Sequence, residues 1–170
     1  MACLLTQGFT LDCKDAVGGI KSIHLISWSA SKFTAASGEV TATTVASGSV
    51  FTYELPKATG SMTATTNVSV ENGTTFTQTD VAFKLRRLST TKRNEMKLLA
   101  QGRCYCIVKN NNDEYFLVGN EYGCDVTAMV ANTGTAMGDS NGYEVTLSAI
   151  EAEDALGSLR NEPAADAVGM

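Results

Sequence analysis

Residues 61–88 read SMTATTNVSVENGTTFTQTDVAFKLRRL. Two runs rich in strand-forming residues flank Glu71-Asn72-Gly73, and Asn-Gly supplies the positive φ angles that a tight hairpin turn requires. The second run alternates, with Val81, Phe83 and Leu85 on one face and Ala82, Lys84 and Arg86 on the other. That period of two is the mark of a half-buried strand. The first run places Thr on much of both faces, so it cannot bury both and suits a sheet with one wet face.

The same reading extends downstream. In GTAMGDSNGYEVTLSAIEAEDA (134–155), Tyr143, Val145, Leu147 and Ala149 fall on one side of a strand, and Glu144, Thr146 and Ser148 on the other. Between these regions, STTKRNEMKLLAQG (89–102) is the one convincing helix. Ser89, Thr90 or Thr91 can cap it, Met96, Leu99 and Ala100 recur at helical spacing, and Gly102 stands where it should stop. CYCIVKNNNDEYFLVGN (104–120) gives two strands around an Asn-rich hairpin, followed by a further strand in CDVTAMV (124–130).

Upstream, GGIKSIHLISW (18–28) reads as a strand after a Gly-Gly turn. GEVTATTVASGSVFTYELP (38–56) divides at Ser47-Gly48 into an expected hairpin, whose second arm alternates Phe51, Tyr53 and Leu55 against Thr52 and Glu54. Sequential antiparallel pairing with one helix predicts a mainly β fold, an antiparallel β-sandwich or barrel with one lateral α-helix. At 170 residues one domain is expected over 1–155, and the acidic, Ala-rich residues 156–170 read as a C-terminal arm or frayed helix. No repeat of fixed period is present.

Composition narrows the function. No run approaches the roughly 20 apolar residues of a membrane span, and the opening MACLLTQGFTLDCKDAVGG lacks the pattern of a secretory signal, so folding in a cytoplasm is expected. In that setting Cys3, Cys13, Cys104, Cys106 and Cys124 stay reduced thiols. Cys104 and Cys106 share one strand face about 7 Å apart; structural zinc sites favour a longer spacer within a turn and two further ligands, so core packing is the better reading.

The single histidine, His24, lies mid-strand between Ile23 and Leu25. A Cys-His pair with Cys106 or Cys124 could arise only by folding, and nothing local marks an activated thiol. Walker, nucleophile-elbow and HExxH patterns are missing, and Glu151 and Glu153 read as a solvated strand exit. The chain is expected to be no enzyme and to need no cofactor or metal.

A net charge of −5 disfavours a phosphate-neutralising nucleic-acid binder. Its distribution is more telling. Seven of the 13 cations lie between Lys84 and Arg103, whereas eleven of the 18 acids lie between Asp113 and Asp166. Arg86, Arg87, Lys92 and Arg93 can be a phosphate patch, a solvated helix face or a charged subunit interface.

From about Val81 to Ala155 the order DVAFKLRRL, TTKRNEMKLLAQG, CYCIVKN, EYFLVGNEYGCDVTAMVANTGTAMGD and NGYEVTLSAIEAEDA resembles the C-terminal half of phage tail tube proteins. The resemblance covers just under half the chain. It implies a structural virion protein of the tail, made in the bacterial host cytoplasm, whose rings of six stack into a hollow conduit for the genome. It further implies a sandwich whose strands join those of neighbours into an inner barrel. The partners implied are other copies of the chain, further tail proteins such as terminator, baseplate or tip and sheath, and DNA in non-specific transit.

On that resemblance, Arg86, Arg87, Lys92 and Arg93 become a candidate inter-subunit patch. Thr41, Thr43, Thr63, Thr65, Thr77 and Thr79 become candidate lumen-facing residues, on strands spanning 39–55 and 61–87. The lumen is expected to be hydrophilic and net negative, because an acidic wall repels DNA and lets it slide. The alternatives are another head-to-tail connector or ring protein and, more remotely, an adhesive or glycan-binding β-sandwich.

Overall fold

A computed structural model describes residues 7–11, 13–29, 33–36, 39–43, 50–152 and 157–158. Strands β5 (Gly60–Ser69) and β6 (Thr74–Arg86) form the expected long hairpin, paired from Gly60↔Phe83 to Ser69↔Thr74. Its loop is four residues, 70–73, and Gly73 alone takes a positive φ, of 63°. The turn is therefore wider than a two-residue Asn-Gly turn. Asn72 donates its backbone N–H to Ser69 Oγ, a bond that a longer loop accommodates.

β10 (Gly142–Glu151) pairs with β6 from Gly142↔Arg86 to Glu151↔Thr77, and β9 (Asp125–Asn132) pairs with β10. The resulting four-stranded antiparallel sheet has the order β5-β6-β10-β9. A larger sheet contains β1 (Ile20–Ser27), β2 (Phe33–Ala36), β3 (Glu39–Thr43), β4 (Val50–Glu54), β7 (Cys104–Asn110), β8 (Tyr115–Val118) and the two-residue β11 (Gly157–Ser158). Its order is β2-β3-β11-β8-β7-β1-β4.

Two expectations are corrected here. β3 and β4 do not form a hairpin: β3 pairs with β2, whereas β4 pairs with β1 at the opposite side of the sheet. Local alternation carries no information about which strand supplies the ladder, and β1 offers β4 an apolar, β-branched neighbour. Residues 157–158, placed in the expected arm, instead make β11 between β8 and β3. The Ser47-Gly48 turn and residues 159–170 lie outside the described residues.

The two sheets pack face to face as a sandwich, and among the described residues neither closes into a barrel. Ile23, Leu25, Cys106 and Val108 from the large sheet meet Val81, Phe83, Val145 and Leu147 from the small one in a single core. Transfer of such side chains from water, at roughly 25 cal/mol per Å² of apolar area, drives this association. α1 (Thr90–Gln101) closes one flank, with Met96 buried and Leu99 packed on the same core. Ser89 caps it by accepting the N–H of Lys92, and the helix ends at Gly102, whose N–H donates to Leu98 O from extended backbone (φ −110°) rather than from a left-handed cap. A second cluster covers the outer face of the large sheet, where Phe33 meets Tyr105 edge-on at 4.9 Å.

Connectivity sets the two ends of the sandwich. One end gathers the start of β5, the finish of β6, the start of α1 and the loop 133–141. A Cβ at Gly60 would meet Ile20 Cβ at 3.1 Å, which brings the start of β1 to the same end. The other end gathers the β5–β6 hairpin tip, the finish of β10 and loop 119–124, joined to the large sheet by the Cys104↔Cys124 bridge.

Candidate assembly surfaces

The outward face of the small sheet is small and polar across its middle, with Phe76, Ile150 and Val130 exposed on the same face. Thr63 and Thr65 of β5 are exposed there, opposite Asp80 and Gln78 of β6. Thr146 and Ser148 of β10 continue the row, followed by Ala128 of β9. Lys84 lies on this face and is held by Glu144 at 2.6 Å, while Asp80 accepts from the Gln78 amide. The alternation of Glu144, Thr146 and Ser148 was visible in the sequence; that this strand continues the Thr-bearing hairpin face was not.

Of the threonines singled out from the sequence, Thr63 and Thr65 lie on that wet face. Thr77 and Thr79 do not: they are 3% and 1% exposed and point inward beside Val81. The period of two decides this, because residues 77, 79, 81, 83 and 85 must share a face and the last three are core. Thr77 Oγ1 pairs with Thr66 Oγ1 at 3.2 Å, whereas Thr79 Oγ1 is buried without a partner. Thr41 and Thr43 belong to β3 in the other sheet, their side chains lying outside the described residues. Strands spanning 39–55 and 61–87 therefore do not form one wall.

Among the described residues the small sheet has two edges without a neighbouring strand. β5 is ten residues long with no charge and no proline, and β9 carries a single charge, Asp125, at its first position. Among the described residues each has a strand on one side only, and β9 also carries a register shift opposite Thr146 and Leu147 and lies beside α1. Folded proteins normally blunt such edges with charges, prolines or bulges, because the unpaired N–H and C=O groups template pairing with another chain.

Arg86, Arg87, Lys92 and Arg93 come together where β6 passes to α1, and all are exposed. The Lys92 ammonium donates to Arg86 O, fixing the neighbourhood of strand end and helix start, and Arg87 adopts φ 67° with its N–H on Asn141 O. None of the four forms an ion pair among the described residues. No acid occupies the first helical turn. Cations there oppose the helix dipole by roughly 0.3–1 kcal/mol each at low salt, so the arrangement is not explained by helix stability.

The remaining candidates are structural. His24 is buried on the outer face of the large sheet, its Nδ1 bonded to Thr52 Oγ1 at 2.9 Å and its Nε2 to Ser22 Oγ at 3.3 Å. Burial, then the Lys109 charge, holds its pKa below the usual histidine value. Cys106 lies across the strand on the inner face, so the sheet itself separates histidine from thiol. Cys104, Cys106 and Cys124 are buried free thiols. Burial pushes Cys104 up to about 12 and the other two well above the normal thiol range. Among the described residues no group of side chains could hold a metal ion.

Glu151 is not at a solvated exit, as the sequence suggested. It is 6% exposed and accepts the Glu121 N–H at 2.7 Å, tying loop 119–124 to the end of β10. Burial raises its pKa, against the opposing pull of the backbone bonds. Glu153 lies outside the described residues.

Comparison of the chain with known protein families, with curated proteins and with solved structures finds no match.

Proposed function

We propose that the chain is a structural, self-assembling subunit of a phage-type tail tube, with the small sheet forming the wall of the channel. The observation that carries the reading is the pair of long, nearly uncharged strands at opposite sides of one sheet, each without a neighbouring strand on its outer side among the described residues. The sheet has an even number of strands, all antiparallel. When β9 of one copy meets β5 of an identically oriented neighbour, the up-down alternation continues unbroken. A cyclic ring of equivalent copies, each contact heterologous, satisfies every edge.

The outward face supports the role of a wet wall. Ser, Thr and Gln side chains hydrate its middle, between exposed Phe76, Ile150 and Val130, and Lys84 is taken by Glu144, which leaves Asp80 and, at the strand end, Arg86 as the charges of β6 on this face outside an ion pair. Six such sheets of four strands at about 4.8 Å spacing would close a circumference of roughly 115 Å before tilt. An uncompensated cationic wall would instead hold DNA by releasing its counterions.

Negative-stain microscopy of the concentrated protein tests the proposal. Six-fold rings or tubes support it, and Thr65→Lys together with Ala64→Pro on β5 should abolish them while leaving a folded monomer. A wild-type protein that stays monomeric at high concentration refutes it.

A further inference from the structure

The chain holds two Asn-Gly pairs, Asn72-Gly73 and Asn141-Gly142, and the fold treats them differently. The backbone nitrogen after an asparagine can attack the side-chain amide carbon, and glycine, with no Cβ, hinders that approach least. The reaction needs an exposed amide, a following N–H that is not held in a ladder, and a backbone free to turn until that nitrogen meets Cγ.

Asn72-Gly73 meets all three conditions. Both residues are exposed in the loop 70–73, and a Cβ on Gly73 would meet nothing within 4 Å. Asn72 donates its backbone N–H to Ser69 Oγ at 3.4 Å, while its side-chain amide and the Gly73 N–H are in no hydrogen bond among the described residues. The last pair between β6 and β10 is Thr77↔Glu151, so residues 67–76 of the β5–β6 ribbon have no strand on either side among the described residues. Nothing braces the loop from outside. Asn67, on the same ribbon, is followed by β-branched Val68, whose side chain crowds the approach.

Asn141-Gly142 is held. Asn141 Oδ1 accepts the Leu88 N–H at 3.4 Å, and its carbonyl accepts the Arg87 N–H at 2.7 Å. Gly142 is buried between Arg86 of β6 and Asn132 of β9, with no room for a Cβ beside Leu85 O. Turning its nitrogen onto Cγ would break strand pairing on both sides.

We propose that Asn72 is a self-modification site, converted in the folded protein to aspartate and isoaspartate. The Gly73 nitrogen forms a bond to Asn72 Cγ and gives up its proton; the Cγ–Nδ2 bond breaks, and the departing nitrogen takes a proton to leave as ammonia. Water then opens the five-membered imide. Attack at Cγ leaves aspartate, whereas attack at the main-chain carbonyl leaves isoaspartate, with the chain running through Cβ and Cγ. The new carboxylic acid loses its proton to ammonia, no electrons are exchanged, and water is the sole co-reactant. Either product places a second carboxylate beside Glu71, and isoaspartate lengthens the loop backbone by one carbon. Neither step depends on the tube reading.

Incubation of the folded protein in mildly alkaline buffer made with heavy-oxygen water, followed by digestion in ordinary water and mass spectrometry, tests the proposal. The Asn72 peptide should gain one heavy oxygen and divide into aspartyl and isoaspartyl forms. The Asn141 peptide should stay unlabelled until denaturant is added, after which both peptides label at comparable rates. Charge-based separation of the intact protein should show a new acidic form that Asn72→Gln does not produce. An Asn72 peptide that stays unlabelled in the folded protein, an Asn141 peptide that labels as fast before unfolding, or the same acidic form in Asn72→Gln overturns the inference.

Discussion

Thr79 offers a test of the fold that runs against ordinary expectation for a core mutation. Its side chain is 1% exposed, its cross-strand partners are Ala149 and Ala64, and its hydroxyl is buried with no hydrogen-bond partner. A buried polar group left unpaired costs about 1–3 kcal/mol. Thr79→Val replaces the hydroxyl by a methyl of nearly the same shape and keeps the β-branched side chain that suits a strand. The variant should therefore be about 1 kcal/mol or more stable than wild type, an increase of roughly 2–4 °C in Tm per kcal/mol for a chain of this size. Thr77→Val, two residues away, is the control. It breaks the bond to Thr66 and should be neutral or destabilising by about 0.5–1.5 kcal/mol. The assay is urea unfolding followed by circular dichroism, in which midpoints shift at constant m-value. If Thr79→Val lowers stability by more than about 1 kcal/mol, the hydroxyl has a partner or faces water, and the inward orientation of the upper half of β6 is wrong.

Three further outcomes are expected. Gly142→Ala would bring a Cβ to 1.9 Å from Leu85 O and 3.1 Å from Arg86 Cα, so it should destabilise by about 1–3 kcal/mol through overpacking, read as a lower urea midpoint. Glu151 has a folded-state pKa above its ordinary 4.5, so its contribution is fully present below about that pH and is lost as pH rises through the folded value. Comparing wild type with Glu151→Gln between pH 4 and pH 7 should show wild type losing stability relative to the variant as pH rises; parallel curves would refute the assignment. In a Cys3→Ser background, a thiol reagent at pH 8 should modify exposed Cys13 rapidly, and Cys104, Cys106 and Cys124 only after denaturation. Fast labelling of a second thiol would contradict the packing of the core.

The sequence by itself determined the elements whose signals are local. The alternation at 81–86 and 143–149, the Ser89 cap and the Gly102 stop each depend on residues within one or two turns of chain, and each is found where it was expected. A sandwich or barrel followed from them, because strands with one apolar face must bury that face against another layer, and the two packed sheets decide for the sandwich. The clustering of Arg86, Arg87, Lys92 and Arg93 was equally legible, since a strand end and a helix start adjoin in the chain.

What required the tertiary structure was everything set by partners distant in sequence. The alternation already places Thr77 and Thr79 on the face of Val81, Phe83 and Leu85, but only the register of β5 on β6 shows that Thr63 and Thr65 lie on the opposite, wet face, which β10 continues. The separation of β3 from β4 depends on which strands compete for β1, a contest between segments some 80 residues apart. Glu151 reads as one more surface acid until loop 119–124 folds its amides onto the carboxylate. Local sequence sets a side chain's charge and strand face, but the end of the sandwich at which it lies, and whether an acid near it is already paired, is decided by the assembled sheets.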